Sequence, residues 1–82
     1  MNLQVLLFAT FADIAGSRKV TLEMDEPYTV ASLVRSLQKK FPALLDYDLQ
    51  SILVAVNQEM ATPDQRISSS DEVGIFPPVS GG

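Results

Sequence analysis

Few residues in this chain could do chemistry, and the most telling of them is its last. Neither Cys nor His occurs among the 82 residues. The usual nucleophilic thiol, the proton shuttle that works near neutral pH and the soft metal ligands are therefore missing. The chain ends Phe76-Pro77-Pro78-Val79-Ser80-Gly81-Gly82. Glycine has no Cβ and can enter a slot that excludes every side chain. A carboxylate at the end of such a tail can be handed to another protein's active site. Gly82 is thus expected to be the functional group itself, with Gly81, Ser80, Val79, Pro78 and Pro77 as the segment that enters a partner's channel. Taken alone, two final glycines also describe a frayed end.

The other charged groups suggest less. Asp46, Asp48, Asp64, Asp71 and Glu72 fit no calcium-loop spacing and read as turn and surface residues. Arg66 could meet a partner's carboxylate, although a solvated position suits it better. No glycine-rich loop opens a helix to cradle phosphate. No cofactor is expected to be bound permanently, no metal site is expected, and the chain carries no catalytic machinery of its own.

Composition bounds the rest. The length suits one small domain, and a 46% apolar content argues for a packed globule. Without cysteine there is no disulfide framework. Ten acidic and six basic residues give a net charge of −4, which opposes nucleic-acid binding and favours basic protein partners or plain solubility. Met1 to Ala9 is apolar, but no basic region precedes it and Asp13 soon interrupts it, so no secretory signal is expected. No run approaches the ~20 apolar residues of a membrane span. A cytoplasmic protein is the expectation.

These groups must be positioned by a small set of elements. Leu3, Val5 and Leu7 alternate with Asn2, Gln4 and Leu6, a first strand whose second half is apolar on both faces. One helical turn, 11–15, closes at Gly16. Val20, Leu22 and Met24 alternate with Lys19, Thr21 and Glu23 as a second strand with one wet face. Thr29 stands where an N-cap belongs. Val30, Leu33, Val34, Leu37 and Phe41 then form the apolar stripe of a helix, which ends before Pro42 with Lys39 and Lys40 in its last turn. A looser stretch, 43–50, precedes the doubly apolar strand 52–56. Asn57-Gln58-Glu59 is expected to turn into a short strand at Met60-Ala61, and 62–71 is polar connection. The last strand, 72–76, is stopped by Pro77-Pro78, which also stiffen the approach to the tail.

This order predicts an α+β fold, one mixed sheet folded around one main helix. Residues 1–76 form the domain and 77–82 the tail. The core is expected to comprise Leu3, Val5, Leu7, Val20, Leu22, Val30, Leu33, Val34, Leu37, Phe41, Ile52, Val54, Val56, Val73 and Ile75. Phe8 and Phe76 have the opposite parity to these inward positions. If the first and last strands are neighbours, they make an exposed apolar patch with Met60, which is either a partner site or packing at the edge of the core.

Strand order, length and ending together resemble the ubiquitin-like β-grasp fold. More specifically, the chain resembles the small, sulfur-carrying subunits of molybdopterin synthase, over essentially all its length. The most specific match is Asp71-Glu72-Val73-Gly74-Ile75-Phe76-Pro77-Pro78-Val79-Ser80-Gly81-Gly82. Val54-Ala55-Val56-Asn57-Gln58 and Leu7-Phe8-Ala9 are weaker ones. Ala12 departs from the family, since many relatives carry a basic residue there. The resemblance implies that an ATP-dependent adenylating enzyme activates Gly82 and that a sulfur donor protein converts it to a thiocarboxylate. The tail would then enter the large catalytic subunit and donate sulfur to cyclic pyranopterin monophosphate, building the molybdopterin dithiolene. It further implies an assembly of two small and two large subunits, with Phe8, Met60 and Phe76 contacting the partner. Two alternatives share the fold and the ending: a sulfur carrier for the thiazole of thiamine, and a ubiquitin-like protein modifier. A plain β-grasp interaction module with an inert tail is a third.

Overall fold

The computed structural model describes residues 1–48 and 50–78. β1 (Asn2–Leu7) leads through the single turn α1 (Thr10–Ala15) into β2 (Lys19–Glu23). The main helix α2 (Val30–Lys40), a 3-10 turn at Pro42–Asp46, and the strands β3 (Leu53–Val56), β4 (Glu59–Met60) and β5 (Val73–Phe76) follow. The five strands lie in the order β2-β1-β5-β3-β4. β1 and β5 run parallel, and every other pair is antiparallel. The α+β expectation holds: one mixed sheet is folded around one main helix.

Alternation along the strands decides what the sheet buries. Leu3, Val5 and Leu7 of β1, Leu22 of β2, Val54 and Val56 of β3, and Val73 and Ile75 of β5 all turn inward and are buried. Val30, Leu33, Val34 and Leu37 of α2 are buried against them. The helix starts where the Thr29 hydroxyl accepts the Ser32 N–H. Its other free N–H groups are met from a distance: Val30 donates to the Gln65 carbonyl and Ala31 to that of Pro63. The polar connection expected at 62–71 is therefore a seam along the helix start, satisfying donors that a helix leaves open. Ile67, whose N–H donates to the Tyr28 carbonyl, is buried there.

The core expectation needs correction at both ends. Val20 and Phe41 are only partly buried and pack on the rim. β2 is an edge strand, covered on one side only, and Phe41 is the residue at which α2 gives way to the 3-10 turn. Phe11, Met24, Leu44 and Ile67 belong to the core instead. Gly16, at φ 73°, ends α1 in the left-handed conformation that glycine adopts without strain. Inside that turn Phe11 packs edge-on against the Tyr47 ring, 5.0 Å away. The stretch expected to be loose contains an ordered 3-10 turn begun by Pro42. Strand ends differ from expectation by a residue: Ile52 and Glu72 lie outside β3 and β5, and Ala61 outside β4, although its N–H still reaches the Val54 carbonyl. Among the described residues, no helix is long and apolar enough to cross a membrane.

Candidate functional site

The outer face of the sheet is built by the residues that the inner alternation leaves over. Pairing register aligns Leu6 with Gly74, Gly74 with Ala55, and Ala55 with Met60, a row that crosses four strands. Its middle is small and its ends are large, so the row forms the floor of a dish. Phe8 and Phe76 make the wall. The Phe8 N–H donates to the Ile75 carbonyl, extending the β1–β5 pairing one residue past β1. The chain then reverses into α1 at Ala9, φ 53°.

The two phenylalanine rings stack face to face, with centroids 4.4 Å apart and planes 4° from parallel. Gly74 makes this packing fit. A Cβ there would stand 3.2 Å from the Phe8 ring and 3.3 Å from the Phe76 ring. The resulting concavity, about 360 Å³, is lined by Leu6, Phe8, Ala55, Gln58, Met60, Glu72, Gly74 and Phe76. Phe8 is 41% exposed and Met60 63%, while Phe76 is half-buried. The three residues expected to contact a partner therefore share one solvent-facing apolar surface. Of the expected tail residues, Pro77 is half-buried and Pro78 exposed, directly after Phe76. Val79, Ser80, Gly81 and Gly82 lie outside the described residues.

One corner of the dish is fixed by side-chain hydrogen bonds. Asn57 donates its amide to an Asp71 carboxylate oxygen at 3.1 Å and accepts the Glu72 N–H at 3.0 Å. The other Asp71 oxygen accepts the Ser68 N–H at 2.8 Å. These bonds, that from Ser68 foremost, favour the ionised form and hold the Asp71 carboxyl below its ordinary 3.8. Together they tie the β3–β4 turn to the start of β5. Asp46, Asp48, Asp64 and Glu72 are exposed, as is Arg66. Among the described residues, no group of three or more Asp or Glu is placed to hold a metal ion. Parity marks Phe8 and Phe76 and the family resemblance marks Met60, but neither marks Gly74 or the Asn57–Asp71 clasp. A glycine inside a strand, at outward parity beside Phe76, was the available sign of close approach.

Residues 5–82 match the ThiS family. The molybdopterin synthase sulfur carrier subunit of Dictyostelium discoideum is 37% identical over 82 residues, covering 96% of this chain and 94% of that protein. Small archaeal modifier protein 1 of Haloferax volcanii is 39% identical over 83 residues, covering 93% and 95%. A crystal structure of the Haloferax volcanii modifier matches the fold with a TM-score of 0.82 at 35% identity, covering 100% of both chains. The neighbours place the sheet and helix in the ubiquitin-like β-grasp class.

Proposed function

The chain belongs to the ThiS family, and from that premise we propose that it is the sulfur-carrier subunit of a molybdopterin synthase, with the Gly82 carboxylate as the carrying group. The observation that supports this most is the siting of the Phe8–Phe76 stack. The exposed apolar face ends where Pro77-Pro78 begin, so a partner docked on the face has the tail at its entrance. The relative from Dictyostelium discoideum, itself a molybdopterin synthase sulfur carrier subunit, supports the choice of pathway.

The chemistry follows from what a glycine carboxylate lacks. It is a poor electrophile. An activating enzyme joins it to the α-phosphate of ATP and releases pyrophosphate, giving an acyl adenylate. Sulfur at the sulfide level, delivered by a donor protein, attacks the acyl carbon and AMP leaves, giving the thiocarboxylate. The large synthase subunit receives the tail, and its acceptor, cyclic pyranopterin monophosphate, takes the sulfur. This chain contributes the docking face and the reach of the tail; the loading and unloading enzymes supply the catalytic groups and bind the ATP.

The relation to small archaeal modifier protein 1 favours a second reading, in which activated Gly82 is joined to lysines of other proteins. The experiment is the loading reaction followed by presentation of each acceptor. With ATP, activating enzyme and sulfur donor, the native chain passes sulfur to the pterin in the presence of the large subunit. A chain extended by one residue after Gly82 folds normally and passes none. Transfer by the extended chain overturns the carrier reading, and lysine conjugates in place of pterin sulfuration select the modifier.

A further inference from the structure

Three residues other than glycine hold a positive φ among the described residues: Ala9 at 53°, Asn57 at 53° and Gln58 at 70°. Gln58 lines the outer-face dish, and Ala9 and Asn57 are chain neighbours of its lining residues Phe8 and Gln58. Asn57 and Gln58 are consecutive and sit between the paired residues Val56 and Glu59, so they form the two-residue primed turn of a hairpin. Asparagine tolerates its place in such a turn. The second place is where glycine is favoured, because a Cβ crowds the backbone there.

The strain at Asn57 has an evident offset, since its side chain makes both hydrogen bonds that clasp Asp71 and Glu72. Ala9 carries no side chain beyond Cβ and serves the reversal from β1 into α1. Gln58 is different. It is exposed, and the side-chain hydrogen bonds of this corner, among the described residues, run through Asn57 and not through Gln58. It instead lines the apolar dish, together with Met60, Glu72, Phe8 and Phe76. A residue that strains the fold and secures nothing within it is placed as functional residues often are.

We infer that Gln58 is a specificity-determining contact of the docking face, its carboxamide supplying a paired donor and acceptor to backbone amide groups of the docked large subunit. The dish is otherwise apolar on its floor and gives affinity with little orientation. One neutral amide at the rim fixes the rotation of the partner and adds no charge to be desolvated. The inference rests on the docking reading above, and its test separates the two.

Binding to the large subunit of the same organism's molybdopterin synthase is measured by calorimetry for Gln58→Gly, Gln58→Ala and Phe76→Ala, each with a thermal melt. Gln58→Gly relieves the backbone and raises the melting temperature by about 4 °C, while affinity falls roughly 5–10-fold through the lost hydrogen bonds. Gln58→Ala keeps the strained Cβ, melts near the wild-type temperature and loses the same affinity, so the loss follows the side chain. If both Gln58 variants bind like wild type while Phe76→Ala binds poorly, the inference is overturned and the docking face stands. If all three bind like wild type, the face is not the interface and both readings fall. A lower melting temperature for Gln58→Gly removes the strain on which the inference is built and overturns it equally.

Discussion

The two faces of the sheet are both apolar at their centres, yet only one of them is covered. On the inner face, Leu3, Val5, Leu7, Val73 and Ile75 are each no more than 1% exposed, sealed by Leu33 and Leu37 of α2. On the outer face, Phe8 and Phe76 cover Gly74 and each other, while Met60 stands 63% exposed at the edge strand. One period-two alternation builds both. The inner set removes its area from water on folding and holds the fold together. The outer set retains much of its area, so burying it remains available as a driving force when a partner docks. On the proposed docking reading, stability and recognition fall to different residues of the same strands, and substitutions on the two faces should fail in different ways.

The comparison is tested most forcefully from the inner side. Leu37→Ala removes a fully buried side chain and should cost about 2–5 kcal/mol of stability, a large share of what a small domain has. Urea denaturation reads the loss directly; an unchanged midpoint would mean that α2 does not seal the inner face. The outer face should behave otherwise. In a double-mutant cycle, Phe8→Ala and Phe76→Ala should show a coupling of about 0.5–1.5 kcal/mol, the range for an aromatic pair. Affinity for the large synthase subunit should meanwhile fall tenfold or more, as for an anchoring aromatic. Loss of stability as large as that of Leu37→Ala would erase the distinction between the faces.

The smallest effect belongs to the corner that holds the outer face in place. The Asp71 carboxyl is held below its ordinary 3.8 in the folded protein. A depressed folded value contributes stability above the unfolded one, and that contribution is lost as pH falls through the folded value. The stability difference between wild type and Asp71→Asn should therefore shrink as acidity increases below pH 3.8. A difference independent of pH would show that the clasp does not depend on the charge of Asp71.

Much of the inner face was legible because it is written in periodic segments. The spacing of Val30, Leu33, Val34 and Leu37 behind Thr29 marks the helix and its cap, and each of these features is present. Phe11, Leu44 and Ile67 escaped because they lie in a single turn, a 3-10 turn and a connection, where no period announces which side is buried. The hydrogen bonds from Val30 and Ala31 to the carbonyls of residues 65 and 63 are equally invisible, since they join segments far apart in the chain. On the outer face, parity set Phe8 and Phe76 outside the core, and only the resemblance to the β-grasp fold made their strands neighbours. The space that Gly74 leaves for their rings, and the left-handed backbone at Gln58, depend on pairing and turn length that only the folded chain fixes.

What the proposed function turns on is neither face but the C-terminal carboxylate, proposed to carry sulfur. Its most direct test is the intact mass of the chain after incubation with ATP, the activating enzyme and a sulfur source. Loading should add the mass of one sulfur replacing one oxygen, localised to Gly82 by fragmentation and absent when one residue is appended beyond it. An unchanged mass under conditions that load a known carrier, or a gain localised anywhere other than Gly82, would contradict it.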